Sequence, residues 1–168
     1  MRAEEFPGVA DLRTSAILVV EDDQADLELL RRAFRRARIA NPLLEVKDGQ
    51  EAIQYLSGEG AFADRTRHPI PFLMLLDLRM PKLSGFEVLE WIRDQPDLAE
   101  LIVVVLTASD YVKDVTAAQE LGANSYLVKP GSFEALVEAV KRIEGLWLPM
   151  DSAPEEPAPM PMETSTPG

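Results

Sequence analysis

The chain is predicted to fold as an α/β domain, a (βα)5 doubly wound parallel sheet. Three observations predict it. Short apolar runs recur that are near-continuous rather than alternating, as strands buried on both faces require. Amphipathic helical patterns separate those runs. Successive runs lie roughly 25–30 residues apart, enough for a crossover helix between parallel strands.

The elements follow in order. Ala16-Ile17-Leu18-Val19-Val20 predicts the first strand, over 16–20. Residues 24–38 place Leu27, Leu30, Phe34 and Ala37 on one stripe and predict a helix. Leu43 to Lys47 is a weaker strand, and residues 48–57 carry Ala52, Ile53 and Leu56 at helical spacing. The polar stretch 58–71 reads as a long loop in which His68 is solvated. Leu73-Met74-Leu75-Leu76 is the third strand. Residues 84–94 follow as a helix with Phe86, Leu89 and Ile92 inward. The fourth strand is Leu101 to Leu106, and helix 110–121 carries Val112, Val115, Ala118 and Leu121 before a C-terminal Gly122. Ser125 to Val128 is a second weak strand. Ser132 caps a last helix over 132–147, with Phe133, Leu136, Val137, Val140 and Ile143 inward.

The folded domain is expected over 15–148. Residues 1–14 read as a loosely held segment. Residues 149–168 hold six prolines and four acids but no base, a composition that cannot offset ordering entropy. They are expected to be a disordered tail. Nothing at the start of the chain has the basic and apolar regions of a secretory signal, and no apolar run is long enough to span a bilayer. A cytoplasmic location is expected.

Composition excludes several chemistries. With no cysteine and one histidine, thiolate sites, disulfides and a Ser-His-Asp triad are ruled out or unfavoured. The 29 Asp and Glu against 17 Lys and Arg argue against nucleic acid or an anionic membrane as partner. Carboxylate chemistry with a hard metal ion is what remains.

Sites in open parallel sheets lie at the carboxyl ends of the strands. Strand one ends in Glu21-Asp22-Asp23, strand three in Asp77, strand four in Thr107 and strand five in Lys129-Pro130. Crowded carboxylates raise one another's pKa values unless a cation intervenes, and an all-oxygen set suits Mg2+. An ionised aspartate beside a divalent cation, a lysine and a hydroxyl can accept a phosphoryl group as an acyl phosphate. Each motif alone has an ordinary reading. Asp77 could end a turn, the acids could open a helix, Lys129 could be solvated and Tyr126 could be a packing residue.

Together, Val20-Glu21-Asp22-Asp23, Leu75-Leu76-Asp77-Leu78-Arg79-Met80-Pro81, Leu106-Thr107-Ala108-Ser109 and Tyr126-Leu127-Val128-Lys129-Pro130 resemble the receiver domain of two-component response regulators. The resemblance implies the flavodoxin-like strand order 2-1-3-4-5 and a role for each residue. Asp77 is the phosphoacceptor. Asp22 binds Mg2+ directly, Glu21 through water, and Arg79 through its backbone carbonyl. Thr107 and Lys129 hold the phosphoryl group, and Tyr126 is the switch aromatic. Lys129-Pro130 is expected to be cis, and Gly85 fits the family's turn into the third helix. The implied partner is a histidine kinase, and the protein signals by contact rather than as an enzyme.

The loop at 58–71 and the ending Ile143-Glu144-Gly145-Leu146-Trp147-Leu148-Pro149 resemble stand-alone regulators of bacterial and cyanobacterial phytochrome kinases. That implies a homodimer through the fourth helix, fifth strand and fifth helix, with Leu146 and Leu148 available for contact. Arg79 is bulky and cationic where many receivers carry a small or amide side chain. Its side chain and that of Ser109 are expected to flank the path of attacking water. Arginines 31, 32, 35, 36 and 38 form either a solvated helix face or a kinase-docking surface. Two other classes compete. A haloacid-dehalogenase-like phosphatase would want a second acid where Arg79 stands. A flavodoxin would want a phosphate loop where Glu21-Asp22-Asp23 stands.

Overall fold

Each apolar run becomes a strand, and all five lie parallel in one sheet. The computed structural model describes residues 14–108 and 111–145. Readings that fall on residues 1–13, on Ser109, on Leu146 and Leu148, and on the acidic tail lie outside the described residues. Strands β1 (Ile17–Val20), β2 (Leu43–Val46), β3 (Leu73–Leu76), β4 (Ile102–Thr107) and β5 (Ser125–Val128) are ordered β2-β1-β3-β4-β5. Helices α1 (Gln24–Arg36), α2 (Gly49–Ser57), α3 (Gly85–Arg93), α4 (Val112–Glu120) and α5 (Phe133–Glu144) connect and follow them. The two weak strands of the sequence are the two edges. An edge strand has one neighbour and less burial, so it needs fewer apolar residues.

Side-chain alternation divides the core. Ile17, Val19, Leu73, Leu75, Val104 and Leu106 pack with α1 and α5 through Leu27, Leu30, Phe34, Leu136, Val140 and Ile143. Leu18, Val20, Met74, Leu76 and Val103 face the other way, onto Ala52, Leu56, Val88, Leu89 and Ile92 of α2 and α3. Leu78, Val105 and Ala118 make a smaller cluster beneath α4, with Phe86 and Tyr126 against it. Right-handed crossovers place α1 and α5 on one face because the chain steps outward from β1 to β2 and then back across to β3. The crevice at that reversal, between β1 and β3, is where such sheets place their ligands.

The caps are as predicted at three termini. Asp23 accepts from the amides of Ala25 and Asp26, and Ser132 accepts from Ala135. Gly122 takes a positive φ of 96° after α4, a conformation disfavoured for any residue with a Cβ.

Three expectations are corrected. Val112 is 79% exposed, and the buried residues of α4 are Asp114 and Ala118. The apolar period put valine inward, but the inward face carries Asp114, paired with Arg79, and Ala118 one turn on. His68 is not simply solvated; its ring stands edge-on to Tyr55 and Phe62 at 5.8 and 5.3 Å. Arg65 organises that loop by donating to the carbonyls of Tyr55, Leu56 and His68, covering the C-terminal end of α2. Finally, there is no cis peptide among the described residues, so Lys129–Pro130 is trans. Trans is the lower-energy isomer even before proline unless packing overrides it, and trans already lets Lys129 reach the acids.

Candidate functional site

The sheet's hydrogen-bond ladder runs one residue past the strands and so fixes the chemical groups. Glu21 donates its amide to Val46 O at 3.1 Å, Asp77 to Val20 O at 3.2 Å, and Lys129 to Thr107 O at 2.7 Å. Rigid backbone, not loop, therefore sets their spacing.

Asp77 is the centre. Thr107 Oγ1 donates to its Oδ1 at 2.9 Å, and the Arg79 amide reaches the same oxygen at 3.2 Å. Lys129 Nζ meets Oδ2 at 3.2 Å. The ammonium also binds Glu21 Oε2 at 2.9 Å and Asp26 Oδ2 at 2.8 Å. Asp26 was missed in the sequence, because an acid in a helix's first turn is already accounted for by the helix dipole. Tyr126 is half-buried against the cluster under α4, on the Thr107 side of the sheet. The side chains of Glu21, Asp22, Asp77, Thr107 and Lys129 converge, and that of Arg79 does not. Its guanidinium lies on Asp114 Oδ2 at 2.7 Å rather than standing free beside Asp77.

Oxygens of Glu21, Asp22 and Asp77 lie within 4.8 Å of one another. Glu21 is only 3% exposed while Asp22 is exposed. Burial and a hydrogen bond to Asp77 push the Glu21 carboxyl up to about 8. Burial also works to raise Asp77. The proton on Glu21, the Lys129 charge and the Arg79 and Thr107 hydrogen bonds nonetheless hold it below the ordinary value. Lys129 is likewise desolvated, but Asp26 and Glu21 hold it above an ordinary lysine. One lysine does not offset so many acids, so a proton stays on Glu21. A hard cation with all-oxygen ligands fits this donor set.

A pH dependence follows. Glu21 binds a proton in the folded state between about pH 4.5 and 8, where the unfolded chain has lost it. The folded state thus holds more protons, and stability falls as pH rises through that window. The metal-free protein is expected to melt at a lower temperature at pH 8.5 than at pH 6. A divalent cation displaces that proton, so it should raise Tm more at pH 8.5 than at pH 6. Calorimetry in EDTA and in Mg2+ checks both; a flat metal-free profile would count against the proton on Glu21.

The arginines of α1 are largely engaged. Arg31 makes a two-pronged contact with Glu45 of β2, both bonds 2.5 Å, and a third with Glu28 at 2.9 Å. Arg36 pairs with Glu134 at 3.8 Å. Acids thus stand beside part of the expected cationic face, while Arg32, Arg35 and Arg36 of α1 and Arg38 just beyond it remain exposed.

Residues 17–141 match the family model described as the response regulator receiver domain. The chain belongs to the response regulator receiver family. Among curated receivers it is 40% identical over 132 residues to the response regulator Rcp1 of Synechocystis sp., covering 79% of this chain and 88% of Rcp1. Among solved structures it is similar to the phosphorylated cyanobacterial phytochrome response regulator RcpA, with 36% identity and a TM-score of 0.75. That match covers 84% of this receiver and 99% of RcpA. It is similar also to the Mn2+-bound form of Rcp1, with 38% identity and a TM-score of 0.72 over 84% and 99% of the two chains. No helix of this receiver is long and apolar enough to cross a membrane, among the described residues.

Proposed function

We propose that this receiver takes a phosphoryl group from a phytochrome-type histidine kinase onto Asp77, with Mg2+, and signals by protein contact. The observation that carries the proposal is the convergence of Thr107 and Lys129 on the two oxygens of Asp77 at the end of the central strand. An Asp77 oxygen attacks phosphorus, the phosphorus–nitrogen bond of the kinase phosphohistidine breaks, and the imidazole, which carries a proton on its other ring nitrogen, takes the bonding pair and leaves neutral. Lys129 and the Thr107 hydroxyl hold phosphoryl oxygens as charge spreads over them. Glu21, Asp22, Asp77 and the carbonyl of Arg79 are the residues assigned to Mg2+. When bound, that ion supplies charge neutralisation at the attacking carboxylate and the incoming phosphoryl oxygens. No separate substrate is turned over, so the protein is a phosphoacceptor rather than an enzyme. Its proposed place of action is the cytoplasm.

The kinase assignment draws on relatives whose names include a phytochrome response regulator. Dimerisation through α4, β5 and α5 is supported by exposed Tyr111, Val112 and Val128. Tyr126 is assigned the switch role, since it packs between β5 and α4.

The test is transfer from an autophosphorylated phytochrome-type kinase. One label per chain is expected, lost in EDTA and released by hydroxylamine as an acyl phosphate should be. Multiple turnovers of a phosphate ester without lasting label would instead favour the dehalogenase-like reading. A stably bound flavin would favour the flavodoxin reading.

A further inference from the structure

The side chain of Arg79 starts two residues beyond the acceptor, from a backbone amide bonded to Asp77 Oδ1. It ends on another element. Asp114, in the first turn of α4, is 5% exposed, and Arg79 Nη2 reaches its Oδ2 at 2.7 Å. The two partners differ in freedom. The Arg79 side chain is 62% exposed, whereas that of Asp114 is 7% exposed. The aspartate is therefore the fixed post and the arginine the movable arm. A recess of about 300 Å³, lined by Arg79, Tyr111, Val112, Lys113 and Asp114, gives that arm room to move.

We propose that Asp114 is a positioning residue for the acyl phosphate on Asp77, setting its lifetime by holding the Arg79 guanidinium away from the phosphoryl group. This rests on the proposed function above. The reaction concerned is hydrolysis. A water oxygen bonds to phosphorus and the bond from phosphorus to the Asp77 oxygen breaks. The carboxylate, hydrogen phosphate and one proton to solvent are the products. A guanidinium free to swing back stands over the acyl phosphate and covers the approach of water to phosphorus. That exclusion slows hydrolysis. With Asp114 ionised, a full carboxylate competes for the same guanidinium and keeps that approach open. Removing the carboxylate of Asp114 releases the arm.

The experiment labels the full chain with acetyl phosphate and Mg2+ and then follows loss of label after the donor is removed. Asp114→Asn is expected to lengthen the lifetime at least threefold. Asp114→Ser serves as the second variant should the amide disturb folding. The same Asp114 substitutions are then made in an Arg79→Ala background, where they are expected to change the lifetime less than twofold. A purely structural role for Asp114 would give the same effect in both backgrounds. That outcome overturns the proposal, as does an unchanged lifetime in Asp114→Asn and Asp114→Ser. A wild-type chain that takes no label at all overturns the phosphoacceptor reading itself, and so separates the two failures.

Discussion

Asp77→Asn is expected to abolish phosphoryl labelling, a loss of at least a hundredfold, while leaving the metal-free protein at least as stable at pH 8.5. The two effects have separate causes. The amide keeps the shape of the carboxyl and an oxygen to accept from Thr107 and the Arg79 amide, now 2.9 and 3.2 Å from Asp77 Oδ1. It has no anionic oxygen with which to attack phosphorus. It also removes the carboxylate whose hydrogen bond and charge, together with burial, push Glu21 up to about 8. Relief of one pKa unit is worth about 1.4 kcal/mol. In a chain of this size that is roughly 3–6 °C in Tm. The fall in stability between pH 6 and 8.5 should flatten in the variant, and the gain from Mg2+ should shrink. Labelling from acetyl phosphate and melts at both pH values decide the matter. Residual label at the wild-type level would move the acceptor away from Asp77.

Gly85→Ala is the substitution expected to damage the fold most. A Cβ at Gly85 would lie 2.3 Å from the carbonyl oxygen of Asp77, 2.7 Å from Leu78 Cα and 3.0 Å from the Asp77 carbonyl carbon. All three are backbone atoms of Asp77 and Leu78, so no side-chain rotation relieves the overlap. Gly85 also donates its amide to Leu78 O at 3.0 Å, which ties the start of α3 to that segment. Either α3 moves outward or Asp77 is displaced. The cost is about 3 kcal/mol or more, or a fall in Tm of roughly 10 °C. Labelling should fall with it because the displaced atoms belong to Asp77, the proposed acceptor. Gly131→Ala is the control, since a Cβ there meets nothing within 4 Å. Equal melting temperatures for the two variants would show that the approach at Gly85 is not tight.

The outline of the sheet was legible because burial on two faces leaves an unmistakable pattern. Val103-Val104-Val105 has no polar face at all, and its strand was placed within one residue. The site was legible because it sits where strands end, and strand ends were readable. What escaped were partners far apart in sequence. Asp26 looked like a dipole acid, and nothing in its neighbours announces Lys129, 103 positions later. Asp114 drew no reading, since a lone acid on a helix is ordinary. It is buried and meets Arg79, 35 positions earlier, while Val112 on the same helix faces solvent. Apolar periodicity reports which face is greasy; it does not report which charge finds a counter-charge.

The strand order β2-β1-β3-β4-β5 has a mechanical consequence. Asp77 stands at the end of the middle strand. On one flank, β2 supplies no atom to the site, Arg31 straps it to α1 through Glu45, and Arg65 locks the adjoining loop onto α2. On the other flank, Thr107 and Lys129 lie on or just beyond β4 and β5. There β5 is only partly buried, and α4 buries only Asp114 and Ala118 along its length. Asp77 thus stands between a braced abutment and a lightly loaded one. A group added there is expected to displace the flank with less to hold it, so that the sheet's order would set the direction of yield.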